Sequence, residues 1–184
     1  MKTLFLVLAL GAAASAADLS GVGNFHQINE HLCRGAQPTS EGFQQIAALG
    51  VKTVIDLRES GLRAEAEKRI VEGDGMRYIN IPFAGLGAPS DQQVSKVLSI
   101  FNDSAVGPVF VHCRRGADRT GTVVACYRVS NDHWKNEAAL AEAKQNGMAW
   151  LEKAMQRYVL RYHPPTDVAG AGAGAATYSS QRSQ

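Results

Sequence analysis

Between positions 24 and 163 the apolar residues change their spacing repeatedly, and each change marks an element. Asn24 to Ala36 reads as a short strand pair turning at Asn29-Glu30. Ser40 is placed to cap a helix that runs to Leu49, where Gly50 stops it. Val51 to Leu57 predicts a strand, Leu62 to Glu72 a helix, and Met76 to Pro82 another strand. Ser90, with Gln93 three residues on, has the spacing of a capping box and opens a helix to about Phe101. Val109 to His112 carries no polar residue until its end, as expected of a strand at the buried centre of a sheet. Further helices are expected at about 119–131, 136–146 and 148–162, and Pro164-Pro165 ends the folded part. Strands alternating with helices predict a three-layer α/β domain, a central, mostly parallel sheet flanked by helices.

The ends of the chain read differently. Lys2 precedes an apolar stretch from Leu4 to Ala14, and Ala14-Ser15-Ala16 has the small-x-small form of a cleavage site. This is the pattern of an export signal over residues 1–16, and it is too short for the roughly 20 apolar residues of a spanning helix. No cysteine stands at the cleavage site, which argues against a lipid anchor. The expected mature chain starts near Ala17 and is periplasmic or secreted, with no stable membrane insertion after cleavage. Residues 17–163 form the predicted domain. Residues 164–184, including "GAGAGAATYSSQRSQ", are Gly/Ala/Ser-rich and read as disordered.

Composition narrows the partners. The 184 residues are 45% hydrophobic and 20% charged, which suits one domain with a sizeable core. A net charge of +2 is too small to attract nucleic acid by bulk electrostatics, so any basic surface is local. Arg114, Arg115 and Arg119 are the place to look. No internal repeat is present, and a monomer is expected. The cysteines, Cys33, Cys113 and Cys126, are odd in number and widely spread, which is not a disulfide framework. Cys126 lies among Val123, Val124 and Ala125 and reads as a buried small hydrophobe. Cys33 follows Leu32 in a strand. Either is a conceivable disulfide partner should Cys113 be oxidised.

Cys113 differs because of its neighbours. In "VFVHCRRGADRTG" it ends the apolar strand, and the next helix points its N-terminus back at the strand's carboxyl end, where ligands bind in such folds. A loop of this length can wrap a tetrahedral anion with its backbone N–H groups. Gly116 can take the positive φ of that curl. Arg119 can fork two N–H bonds onto one anion. The same donors stabilise negative charge on the sulfur, making Cys113 a nucleophile aimed at a bound phosphate. An inert buried thiol would leave three arginines at a strand end unexplained.

"HCRRGADRTG" resembles the His-Cys-x5-Arg-Thr-Gly signature of the cysteine-dependent protein tyrosine and dual-specificity phosphatase superfamily. "CRGAQPTSEGFQQIAALGVKTVIDLRESG" (33–61) is similar to the N-terminal part of small bacterial and fungal atypical dual-specificity phosphatases. Those show an Arg-x-x-Gln-Pro turn, a helix, and a strand ending in Asp-Leu-Arg. "CYRVSNDHWKNEAALAEAKQNGM" (126–148) is similar to the segment after the loop in exported bacterial members. Together the resemblance covers most of residues 25–163. It implies metal-free and cofactor-free two-step hydrolysis of a phosphate ester. Cys113 is then the nucleophile, Arg119 the clamp, and Thr120 the hydroxyl donor to the thiolate. Arg114, Arg115, Gly116 and Ala117 complete the phosphate-binding loop.

The proton donor is less well marked. Most of the superfamily takes an Asp from an upstream loop, and "PFAGLGAPSDQQV" offers Asp91, which also suits a helix's first turn for electrostatic reasons alone. Asp118 lies inside the signature loop. Myotubularin-like and Sac-type lipid phosphatases also carry Asp-Arg there, which favours Asp118 as the acid; its alternative is to shape the loop by pairing with an arginine. Two extra cations, Arg114 and Arg115, favour a substrate with more than one negative group: a phosphoprotein, an inositol phosphate or a phosphoinositide. Sulfur transfer of the rhodanese kind and a phosphate-binding pseudophosphatase are the competing functions. The former lacks the Arg-Thr-Gly ending, and the latter usually loses the cysteine or arginine that this chain keeps. His26 and His31 have no metal-ligand spacing. Asp56, Arg58 and Glu59 are expected to hold the loop, Gly121 to let its helix approach the sheet, and Trp134 and Trp150 to pack in the core or between helices.

Overall fold

The computed structural model describes residues 19–165, so the predicted signal segment 1–16 and residues 166–184 of the predicted tail lie outside the described residues. Five strands form one sheet: β1 (His26–Gln27), β2 (Leu32–Ala36), β3 (Thr53–Asp56), β4 (Arg77–Asn80) and β5 (Val109–Cys113). Their order is β1-β2-β5-β3-β4, with β1 antiparallel to β2 and every other pair parallel. The two innermost parallel partners of β5 set the register of the site. Ala36 lies opposite Cys113, while Gly35 and Asp56 flank His112 from either side. Three strand ends therefore meet at one edge.

Helices cover both faces because β5 is buried along its whole length and its side chains alternate. Val109, Val111 and Cys113 turn to one face with Leu32, Ile55 and Leu57. There they meet α3 (Asp91–Phe101), α4 (Asp118–Ser130), α5 (Asn136–Gln145) and α6 (Lys153–Arg161). Phe110 turns to the other face with Cys33 and Val54, against Phe43 and Ile46 of α1 (Ser40–Ala48) and Val71 of α2 (Leu62–Gly73). Each fully buried Val, Ile or Phe contributes about 1.5–3 kcal/mol of transfer free energy. The three-layer α/β architecture predicted from the sequence is the one formed.

The Ser90–Gln93 capping box forms as its spacing predicts, Ser90 Oγ accepting from the Gln93 N–H and Gln93 Oε1 from the Ser90 N–H. Other details differ. Thr39, not Ser40, caps α1, its hydroxyl accepting from the Gly42 N–H. The helix expected from Met148 starts only at Lys153. Gly147, at φ +90°, ends the preceding turn, and the N–H and C=O of Ala149 are committed to the side chains of Asp118 and Gln156. Gly121 faces α5 rather than the sheet: a Cβ there would touch Ala143 and Met148 at 3.4 Å. Trp150 is 71% exposed rather than packed in the core, while Trp134 stacks under the Arg128 guanidinium at 4.7 Å. No helix among the described residues is long and apolar enough to cross a membrane.

Candidate active site

Cys113 ends β5 with 2% of its surface exposed, and α4 begins after four intervening residues. The N-cap of α4, Ala117, has no side chain to offer, so the helix's first N–H groups are left for a ligand. Gly116 makes the curl between them at φ +66°. A Cβ there would overlap the carbonyl of Gly35, so both the conformation and the contact with β2 require glycine.

Arg119 sits one residue into α4 and reaches back across the strand ends. Its Nη1 donates to Leu57 O at 3.3 Å, Glu59 Oε1 at 3.2 Å and Phe83 O at 3.5 Å. All three bonds use one nitrogen, which leaves the Nε–Nη2 edge to engage an anion. Glu59 is largely exposed. Its own backbone N–H, and after that the Arg119 charge, hold its carboxyl below the usual range. The pair therefore persists at neutral pH and dissolves only as pH falls through that lowered value.

The remaining predicted residues take distinct places. Asp118 is buried, and both its oxygens are engaged: Oδ2 by Arg115 Nη2 at 2.5 Å, Oδ1 by the Ala149 N–H at 2.8 Å. That is the loop-shaping arrangement, and it ties the loop to the segment before α6. Arg114 and Arg115 are exposed beside the loop. The Thr120 hydroxyl is buried and has no hydrogen-bond partner among the described residues, so the expected bond to the Cys113 sulfur is not formed. Asp91 lies elsewhere. Its Oδ1 accepts from Tyr158 Oη at 2.8 Å, and it lines a cavity of about 1180 Å³ between α3 and α6 that no residue of Cys113–Arg119 reaches.

Below the loop lies a network of charges with little signal in the sequence. His112, wholly buried, pairs through Nε2 with Glu67 Oε1 at 2.8 Å. Glu67 Oε2 accepts from Gln37 Nε2 and Arg58 Nη2, each at 2.5 Å. Arg58 also forks onto Asp56, whose second oxygen accepts from Tyr78 Oη at 2.8 Å. Burial pushes the Asp56 carboxyl upward, but the Arg58 bonds and the neighbouring His112 more than reverse this, leaving it below the usual range. Asp56, Glu67 and His112 come close enough to suggest a metal triad, but the Arg58 guanidinium already supplies the positive charge between the two carboxylates. Asp56 and Arg58 thus hold the strand ends rather than the loop itself; of the three residues expected to hold the loop, Glu59 does so through Arg119. Glu67 has no local signal because its partner His112 is 45 residues away, while Gln37 is marked only by the Arg-x-x-Gln-Pro turn.

A cysteine that closes a parallel strand, a glycine-turned loop and an arginine opening the next helix define the cysteine-dependent phosphatase class. The chain belongs to the family described as "DSP-PTPase phosphatase fused to NAD+ Kinase", whose model matches residues 18–158. It is 32% identical over 119 residues to the rice protein "Probable NAD kinase 2, chloroplastic", covering 61% of this chain and 11% of that one. It is 27% identical over 124 residues to the dual specificity protein phosphatase TpbA of Pseudomonas aeruginosa, covering 67% of this chain and 55% of TpbA. The chain thus spans about half or less of the length of these relatives. A crystal structure of TpbA in complex with pTyr superposes with a TM-score of 0.65 at 25% identity, over 80% of this chain and 90% of that one. The catalytic core of the PP-IP phosphatase SIW14 of S. cerevisiae, in complex with citrate, shares the fold with a TM-score of 0.68 at 21% identity, over 76% and 85% of the chains.

The other two cysteines cannot reach Cys113. Cys33 pairs in register with Phe110, three positions before Cys113, so it lies about 10 Å along the sheet and on the opposite face. Cys126 is eight residues into α4, about 12 Å along the helix from its start, and it is a free thiol like Cys113. The Cys33 separation exceeds what a disulfide spans, about 7 Å between Cα atoms, and Cys126 is held inside its helix. Both thiols are buried, which pushes Cys33 up to about 12 and raises Cys126 as well. Peroxide-treated protein should therefore carry the oxidation on Cys113, with no dithiothreitol-reversible intramolecular bond in its peptide map. A Cys113–Cys33 or Cys113–Cys126 peptide from folded protein would contradict this geometry.

Proposed function

We propose that the chain hydrolyses phosphomonoesters through a phosphocysteine at Cys113. The substrate is a phosphoprotein of the phosphotyrosine or phosphoserine type, an inositol phosphate or a phosphoinositide. The observation that carries this is that Cys113 at the end of β5, the uncapped start of α4 and an Arg119 with a free guanidinium edge lie on one strand–loop–helix turn. The phosphoryl oxygens bind the loop N–H groups of Arg114 to Ala117 and the fork of Arg119, which offset charge as it spreads over the transferring group. The Cys113 sulfur attacks phosphorus, and the bond to the leaving oxygen breaks as that oxygen takes up a proton. Water then attacks phosphorus, the S–P bond breaks, and inorganic phosphate leaves with the thiolate restored. The unpaired Thr120 hydroxyl is a donor held in reserve for the departing sulfur. These side chains and backbone groups carry the phosphoryl transfer without a cofactor, and the leaving oxygen takes its proton from water or a substrate group. Relatives named as phosphatases favour this reading over sulfur transfer, and retention of both Cys113 and Arg119 favours it over a phosphate binder.

Cys113→Ser should abolish turnover of para-nitrophenyl phosphate yet keep vanadate affinity. Arg119→Lys keeps a charge but loses the planar fork, so it should be nearly inactive as well. Persistent turnover by Cys113→Ser would sink the covalent route.

Asp118 is proposed as a brace rather than the acid, because both its oxygens already have partners. A missing general acid costs about 10²–10⁴ in rate where the leaving oxygen needs a proton, and less where it leaves well unaided. Asp118→Asn should therefore slow an alkyl phosphate and para-nitrophenyl phosphate alike. A loss confined to the alkyl phosphate would assign the proton to Asp118 after all, and the same pattern in Asp91→Asn would assign it to the upstream loop.

We further propose that the protein is exported, on the strength of Lys2, the apolar run to Ala14 and the Ala14-Ser15-Ala16 site. Protein purified from its native host should begin at or near Ala17 by N-terminal sequencing, and an intact Met1 start would refute export by this route.

A further inference from the structure

The arms of the loop that face away from a bound phosphate are held by one distant segment, the hairpin and turn at residues 24–37. Three successive loop carbonyls accept from it. Arg114 O takes the Gln37 N–H at 3.3 Å, Arg115 O takes Asn24 Nδ2 at 3.3 Å, and Gly116 O takes Arg34 Nη2. In a planar trans peptide the N–H points opposite to the C=O. Pulling these carbonyls outward therefore turns the N–H groups of Arg115, Gly116 and Ala117 the other way, which is the geometry of an anion nest.

Arg34 is the unusual member. Its side chain is wholly buried in β2, and Nε and Nη1 have no partner among the described residues. Arg34 lies opposite Val111 in register, two residues from Cys113, so it shares the sheet face of the nucleophile. Burial lowers the guanidinium to about 10, with Glu142 and Cys113 drawing it back up, and it stays charged at neutral pH. A charge buried this completely with one acceptor lowers stability relative to an apolar side chain of its size. Packing gives no reason for an arginine here.

We propose that Arg34 is a positioning residue for catalysis: it fixes the Gly116 carbonyl outward, thereby aims the Ala117 N–H at the phosphoryl oxygens, and places a fixed positive charge on the sheet face of Cys113. This rests on the phosphatase reading of the site and adds a residue that touches neither substrate nor the reacting atoms.

The test is alkylation of Cys113 by iodoacetamide at pH 6 in the mature full-length protein, read by mass spectrometry with and without inorganic phosphate. Phosphate must protect wild-type Cys113; a lack of protection there would overturn the phosphatase reading itself. Given that protection, Arg34→Met should alkylate about tenfold more slowly and need about tenfold more phosphate for half-protection. A residue that merely filled space would give the opposite sign, because a loosened loop exposes Cys113 and speeds alkylation. Arg34→Lys keeps the charge but not the reach of the fork. It should alkylate near the wild-type rate while still losing about tenfold in phosphate affinity. A folded Arg34→Met with wild-type or faster alkylation and unchanged protection overturns the proposal. Should Arg34→Met fail to fold by circular dichroism, Arg34→Lys decides alone, and wild-type phosphate affinity in it overturns the proposal equally.

Discussion

A loop can turn several consecutive N–H groups toward one point only if the carbonyls on their other side find partners. This is the constraint on which the site depends. Between Cys113 and Asp118 no regular ladder is available to receive those carbonyls. The segment 24–37 supplies the three donors, and the backbone of Gly35 presses against Gly116, where no side chain fits. The sheet order makes this possible. With β2 beside β5, the turn leaving β2 lies directly against the loop leaving β5.

The other flank is fixed by charge rather than by backbone. β3 ends beside β5, and the Asp56–Arg58–Glu67–His112 network joins both strand ends to α2 and to Gln37. Removing one partner from such a buried set costs about 3–5 kcal/mol, because another charge is left without compensation. Such a set limits how far the strand ends can drift, and Arg119 uses that rigidity. Its Nη1 is pinned by carbonyls of the segments following β3 and β4, which presents the other edge of the guanidinium in one orientation.

Much of this is legible in the sequence, and the limits are instructive. The uninterrupted apolar run before Cys113, the glycine within the loop and the arginine that follows are all local, and they fix the strand, the curl and the helix start. The alternation of periods likewise gives the layers. What escapes is non-local. Arg34 is marked locally only as part of the Arg-x-x-Gln-Pro turn, and its complete burial follows from the pairing of β2 with β5 and the helices over that face. Glu67 looks like any polar residue on an amphipathic helix until His112 is brought against it. The break between Gly147 and Lys153 has a helix-compatible sequence, but Asp118 captures the Ala149 N–H and tertiary bonding overrides propensity. Asp118 shows the same limit: the signature loop marks it in the sequence, but its bonds to Arg115 and to the distant Ala149 N–H become visible only in the fold.

The hairpin's part in the loop also has a bearing on time. Arg34 and Gly116 are 82 residues apart, and Asn24 and Arg115 are 91 apart. Contacts of such separation carry a large loop-closure cost and form late relative to local turns and helices. A chain still emerging during synthesis, or one partly unfolded, therefore holds Cys113 without its cradle. The loop takes its shape only when the first strands and the fifth are joined. The segment 24–37 acts as a template for the loop after β5, so an unfinished molecule has the sequence of that loop without its shape.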